Sequence, residues 1–258
     1  MDCSIPDAHH EPSTGEELKT KTVPLDGREI PFLDKPGMTA EQAAWETILE
    51  ENLGPFYLPR YLDCRHRGVE TAWDYVKDDP ALPRVLLIGD SISRGYTVPT
   101  RHVLAGKVNV HRAPENCGPT ATAMQKLDLW LGDRNWDVIH FNFGIHDRNT
   151  PASDYLIRLE HILGRLASTG ASLIWATTTP IGAGAELYEQ GSSERSNGLA
   201  TPLMARHGVR INDLHALTLP KLGEIQIPKD CHFHEAGYEL MGRQVADAIV
   251  AALRDRGR

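Results

Sequence analysis

Val85-Leu86-Leu87-Ile88-Gly89-Asp90-Ser91-Ile92-Ser93 is the stretch that decides the fold. Four apolar residues in a row, bounded by Pro83 and Gly89, fit a strand covered on both faces of a parallel sheet better than an amphipathic helix. A strand that ends at Gly89 and runs into Asp90 and Ser91 sets a small polar nucleophile at the carboxyl edge of the sheet, where open α/β folds place their ligands. Asp and Ser are equally favoured as helix N-caps. Taken alone, the stretch reads as well for a helix start as for a catalytic turn.

Downstream, the chain alternates. Val108 to His111 reads as a second strand, Asp137 to Phe143 as a third, Ala171 to Thr177 as a fourth and Val209 to Ile211 as a short fifth. Between and after them, Pro119 to Leu131, Ser153 to Ser168, Ser193 to His207 and Gly237 to Arg254 carry apolar residues at helical spacing. Strands alternating with helices of this length predict a parallel sheet covered on both faces. Trp136 and Trp175, in or beside strands, are expected in the core.

Upstream, residues 1–80 read as an N-terminal extension packed on a main domain of residues 81–258. The first 20 or so are polar and expected to be poorly ordered, with His9 and His10 solvated. Lys21 to Lys35 suggests short extended pieces. Thr39 to Leu53 reads as a helix that Thr39 caps, with Gln42 three residues on. The extension lacks the periodic apolar sequence that would promise a core of its own.

Composition removes several function classes. The 258 residues are 41% hydrophobic and 24% charged, with a formal net charge of -8 and no basic run. That leaves no electrostatic footprint for nucleic acid or an anionic membrane surface. No window is long and apolar enough to span a membrane. The acidic, polar start does not read as a signal peptide, which gives a cytoplasmic reading, or a periplasmic or secreted one if a leader has been removed. Of the four cysteines, Cys3, Cys64, Cys117 and Cys231, none forms a Cys-x-x-Cys pair. Free thiols are the default, and Cys117 with Cys231 is the pair to consider if their loops meet.

The alternation gathers four turns at one sheet edge: Gly89-Asp90-Ser91, Asn116-Cys117-Gly118, Gly144-Ile145-His146-Asp147 and Thr177-Thr178-Thr179. Asp230-Cys231-His232-Phe233-His234 precedes the last helix, close enough in topology for a histidine to reach Ser91. Serine-based hydrolysis needs a base, a partner that orients it, and donors for the oxyanion. All three are on offer here.

These residues resemble the blocks of the SGNH, or GDSL, hydrolase superfamily. Gly89-Asp90-Ser91 is similar to the first block with Ser91 as nucleophile, Gly118 to the second-block glycine whose N–H holds the oxyanion, and His232, five residues before Gly237-Tyr238, to the fifth-block base. The resemblance implies a three-layer αβα, flavodoxin-like fold with five parallel strands in the order 2-1-3-4-5, and ester hydrolysis, often of acetyl groups on carbohydrates. It implies no metal or organic cofactor. The partner expected is a small-molecule or oligosaccharide ester, and the oligomeric state is open.

Two departures from the family pattern stand out. Where the third block usually has Gly-x-Asn-Asp, this chain has Gly144-Ile145-His146-Asp147. An imidazole N–H can donate to an oxyanion, so His146 is the favoured donor and Asn142 the alternative. Where Asp usually stands three residues before the histidine, this chain has Lys229, and Asp230 lies two before. Asp230 is expected to orient His232, with Asp213 or a backbone carbonyl in reserve. Asp90, Arg94, Asn142, Asp147, Arg148, Thr178 and His234 are candidates to line the pocket, and Arg94 or Arg148 would suit an anionic substrate such as a uronic acid. Two other readings remain open. One is a catalytically altered protein that binds carbohydrate; the other is an enzyme that cleaves a glycosidic or sulfate ester bond. A metal held by His232 and His234 with Asp147 or His146 is a weaker option, because it leaves Gly89-Asp90-Ser91 without a purpose.

Overall fold

The computed structural model describes residues 21–132 and 135–257. The expectations for the first 20 residues, including His9 and His10, and Cys3 fall outside the described residues.

The sheet has five parallel strands: β3 (Arg84–Ile88), β4 (Asn109–Arg112), β5 (Val138–Phe141), β6 (Ser172–Ala176) and β7 (Arg210–Asn212), in the order β4-β3-β5-β6-β7. Counted from β3, this is the expected 2-1-3-4-5. Its strands read as unbroken apolar runs because alternate side chains enter two different cores. Leu86 and Ile88 of β3, Ile139 and Phe141 of β5 and Trp175 of β6 face one side. There they meet α4 (Thr120–Leu131), α5 (Ala152–Ala167) and α6 (Ser192–Arg206) through Leu127, Trp130, Leu159, Leu163 and Leu203. Val85, Leu87, Val138 and Ile174 face the other side, against α3 (Ser91–Leu104) and α9 (Glu235–Arg256). Trp136 and Trp175 are both core residues.

The packing of α3 on α9 is close. Met241, Val245, Ile249 and Ala252 give α9 an apolar stripe at helical spacing, and glycines let the backbones approach. A Cβ on Gly242 would lie 2.5 Å from Pro99 Cβ, and one on Gly95 2.0 Å from the Tyr238 ring. This contact fixes the start of α9, and with it the loop that carries His232, relative to Ser91. Two short helices, α7 (Leu214–Thr218) and α8 (Leu222–Ile225), lead into that loop.

In the extension, β1 (Thr22–Leu25) and β2 (Arg28–Pro31) form a hairpin. Its two-residue turn, Asp26-Gly27, has positive φ at both positions, the backbone that right-twisted hairpins favour. Thr39 caps α1 (Ala40–Asn52) by accepting from the Gln42 amide, as expected. A second helix, α2 (Gly54–His66), was not foreseen, because Pro55 and Pro59 interrupt its pattern; Pro is tolerated at a helix's first turn. The extension also corrects the expectation that it has no core. Leu25, Ile30, Leu49, Leu53, Leu58, Tyr61, Leu62 and Trp73 form an apolar cluster drawn from four elements and a loop, so no single stretch shows the periodicity. It is tied to the end of β4 by Trp73 Nε1 donating to Ala113 O at 3.2 Å and to α3 by Arg101 donating to Thr71 O at 3.0 Å.

Candidate active site

Ser91 is the first residue of α3, and Asp90 caps that helix by accepting from the Ile92 amide at 2.9 Å. Asp90 thus starts the helix, and Ser91 is its first residue, buried at the carboxyl edge of the sheet. The Ser91 Oγ lies 2.8 Å from His232 Nε2, across 141 residues of sequence. The other ring nitrogen, Nδ1, is 2.8 Å from Asp230 Oδ1. A carboxylate on Nδ1 fixes the tautomer that leaves Nε2 able to take a proton from the hydroxyl.

The one-residue displacement of Asp230 is absorbed by backbone. Lys229 adopts φ 61 and the Asp230 amide donates back to Ile227 O, which turns the carboxylate under the ring. Oδ1 then also accepts from the Cys231 and His232 amides at 2.6 and 3.2 Å. Burial acts to raise the Asp230 pKa, but these bonds and the imidazole outweigh it and hold it below the ordinary 3.8. Asp213 is engaged elsewhere, capping α7 through the Ala216 amide and accepting from Thr177 Oγ1.

With its pKa depressed by folding, Asp230 adds stability that is in place above about pH 3.8 and fades as the pH falls through the lowered value. Asp230→Asn is therefore expected to flatten the acid limb of the stability–pH curve in equilibrium unfolding. An unchanged acid limb would show that the carboxylate is not held as described. The same variant is expected to lower kcat by between about 10- and 10^4-fold, through loss of the tautomer.

The third and second turns are clamped together. Asp147, buried, accepts from the Thr120 amide at 2.8 Å, from Thr120 Oγ1 at 2.6 Å and from Thr150 Oγ1 at 3.1 Å. It is thus a brace between the Gly144–Asp147 turn and the start of α4, not a group free to meet a ligand. Two groups beside the brace have no hydrogen-bond partner among the described residues. Gly118 has φ +63, and its amide donates to none of the described residues. His146 Nε2 is buried with no hydrogen-bond partner among them. Asn142, the alternative donor, is engaged: its Nδ2 donates to Ala176 O at 2.8 Å and to Thr178 Oγ1 at 3.1 Å.

Of the remaining pocket candidates, Thr178 is buried and held by Asn197. Arg148 lies over the Tyr188 ring at 4.7 Å. His234 is exposed at the start of α9. The Arg94 side chain makes no hydrogen bond or ion pair with the described residues, and its Nε is buried. Tyr96 packs in the α3–α9 core. Cys64, Cys117 and Cys231 are free thiols. Among the described residues, Asp230, Cys231 and His232 are the one group whose atoms could converge on a metal ion. Burial, reinforced by the Asp230 and Asp90 charges, pushes the Cys231 thiol up to about 12, so at neutral pH it is a thiol and not a ligand thiolate.

Two residues near the site escaped the sequence reading. Arg112, at the end of β4, is 1% exposed. Its Nη2 donates to Gly89 O and Asp90 O, both at 2.9 Å, and its Nη1 to Ser93 Oγ. It grips the turn that carries Ser91 from behind. Tyr57, on α2, is half-buried beneath Arg94, whose guanidinium lies 5.6 Å from its ring centre; burial raises its pKa, and Arg94, Arg112 and Ser91 partly offset the rise. An arginine closing an apolar strand was a readable signal for the first. Nothing in the sequence linked Tyr57 to Ser91.

No model of a known protein family matches the sequence, and no significant match is found among curated proteins. Solved structures do match. A lipase/acylhydrolase from Enterococcus faecalis superposes with a TM-score of 0.60 at 22% identity, over 66% of this chain and 96% of its own. A G-D-S-L family lipolytic protein from Veillonella parvula superposes with a TM-score of 0.55 at 18% identity, over 65% of this chain and 98% of its own. This chain has the SGNH hydrolase fold. An acetyl xylan esterase, AlAXEase, shares that fold at 17% identity and a TM-score of 0.56, over 64% of this chain and 99% of its own. The SGNH fold thus occupies about two thirds of the chain. None of the helices among the described residues is long and apolar enough to cross a membrane.

Proposed function

We propose that this chain is an SGNH-type carboxylic ester hydrolase that removes a small acyl group, acetyl, from a carbohydrate by way of an acyl-enzyme. The observation that carries the reading is the line of hydrogen bonds from Ser91 through His232 to Asp230 at the carboxyl edge of the sheet. In the proposed reaction Ser91 Oγ attacks the ester carbonyl as His232 Nε2 takes its proton. The tetrahedral oxyanion is held by the Ser91 and Gly118 amides and by His146. Collapse expels the sugar alcohol, which receives the proton from His232, and a water molecule activated by the same imidazole then releases the acid and restores Ser91. The domain division at about residue 80 is part of this proposal: residues 81–258 carry the chemistry and the extension packs on them.

Support for the donor assignment comes from Asn142 being engaged while the Gly118 amide and His146 Nε2 are not. The test compares acetylated, sulfated and unmodified xylo-oligosaccharides, with acetate, sulfate and reducing ends measured together. Release of acetate alone is expected, and His146→Ala is expected to lower kcat by about 10^2–10^3-fold with a small change in KM. Sulfate or new reducing ends without acetate would replace this reading with a different bond cleavage.

A further inference from the structure

Arg94 and Tyr57 belong to a groove between the extension and the main domain. The groove has a volume of about 430 Å³ and is lined by Phe56, Tyr57, Arg60, Trp73, Arg94 and Tyr238, among others. That volume lies in the range typical of small-molecule sites, about 300–1,000 Å³. Arg94 brings the groove close to the nucleophile, because it is three residues beyond Ser91 on α3, hence on the same helix face.

The charges in the groove are unusual for an acidic chain. Elsewhere in the extension the arginines meet acids: Arg28 and Arg67 reach Asp63, and Arg65 reaches Asp74. Arg60 and Arg94 meet none among the described residues. Arg60 lies over the Phe56 ring at 4.0 Å, and Arg94 over the Tyr57 ring at 5.6 Å with its Nε buried and unpartnered. The acid that lines the groove, Glu70, is paired with His102 at 2.7 Å. A half-buried guanidinium whose Nε is enclosed without a partner leaves a donor for a ligand to complete, and its planar fork matches a carboxylate. Aromatic walls suit the apolar face of a sugar ring.

We infer that this groove is the subsite for the alcohol portion of the substrate, and that it selects a ring bearing a carboxylate, an acylated uronic acid, with Arg94 as the carboxylate's partner and Arg60 at the rim. The inference rests on the ester hydrolase reading above. It gives the extension a role: the solved structures cover about two thirds of this chain and nearly all of their own length, so they offer no counterpart to the remaining third.

The test measures kcat/KM on an acetylated oligogalacturonide and on an acetylated xylo-oligosaccharide of the same length. A preference for the anionic ester of at least about tenfold is expected, falling as salt rises to ~0.5 M. Arg94→Gln is expected to reduce that preference by about tenfold or more, mainly through KM for the anionic ester, with Arg94→Lys recovering part of it. Arg60→Gln, at an exposed rim position, is expected to reduce it by a smaller factor. Fluorophosphonate labelling of Ser91 is run in parallel. An enzyme that is labelled and active but has no anionic preference, or one that Arg94→Gln leaves unchanged, overturns the subsite alone. A protein neither labelled nor active on any ester overturns the hydrolase reading and the subsite with it.

Discussion

Ser91→Ala is expected to lower kcat for acetyl ester hydrolysis by on the order of 10^4-fold or more, and to abolish fluorophosphonate labelling. The size follows from the geometry. Without Oγ there is no acyl-enzyme, and His232 is left to activate water directly, with only the oxyanion donors and substrate positioning still acting. The loss is one of chemistry and not of folding, because Asp90 still caps α3 through the Ile92 amide. Thermal unfolding of the variant is therefore the control: an unchanged Tm with activity gone is the expected pair of results. Substantial turnover by folded Ser91→Ala would remove Ser91 from the mechanism.

Arg112→Met is expected to destabilise the protein by about 3 kcal/mol, a Tm decrease of roughly 6–12 °C, with a loss of kcat in the protein that stays folded. Methionine fills much of the space, so the effect is that of lost charge-assisted hydrogen bonds, Gly89 O keeping the Cys117 amide and Asp90 O the Arg94 amide. Gly89 O and Asp90 O would each lose a charged donor in a site where Arg112 is 1% exposed. A hydrogen bond to a charged group contributes about 1.5–3 kcal/mol. The kcat effect distinguishes this from ordinary core damage, since the two carbonyls belong to the turn that aims Ser91. Arg112→Lys, which keeps the charge but cannot reach both carbonyls and Ser93 in one plane, is expected to fall between the two. A variant as stable and as active as the parent would mean that the turn holds its shape unaided.

Much of the main domain was legible because its signals are local. Leu86 and Ile88 against Val85 and Leu87 announce a strand with two buried faces, and the Gly-Asp-Ser ending marks the edge where chemistry gathers. The uncertain places were those where partners come from far away. Whether Asp230 could stand in for a residue one position earlier depended on the backbone of Lys229, a positive φ that sequence does not advertise in a lysine. The choice between His146 and Asn142 depended on what Asn142 already touched, namely β6 through Ala176 O. The extension was least legible. Its cluster draws Leu25, Leu49, Leu62 and Trp73 from separate segments, and its approach to α3 passes through Tyr57 under Arg94, which no motif marks.

The 141-residue span between Ser91 and His232 has a consequence for how the proposed activity would be lost. Bringing the ends of a flexible loop of that length together costs about 4 kcal/mol on the scale of (3/2)RT ln n, whereas one hydrogen bond contributes about 1 kcal/mol. The pair therefore does not hold itself; the glycine-lined contact of α3 with α9 holds it. Detachment of α9 alone would extinguish turnover while the sheet, secured by its other core, persists. Heat or denaturant would then silence the proposed activity before it unfolds the chain, and turnover would gauge the seating of the last helix.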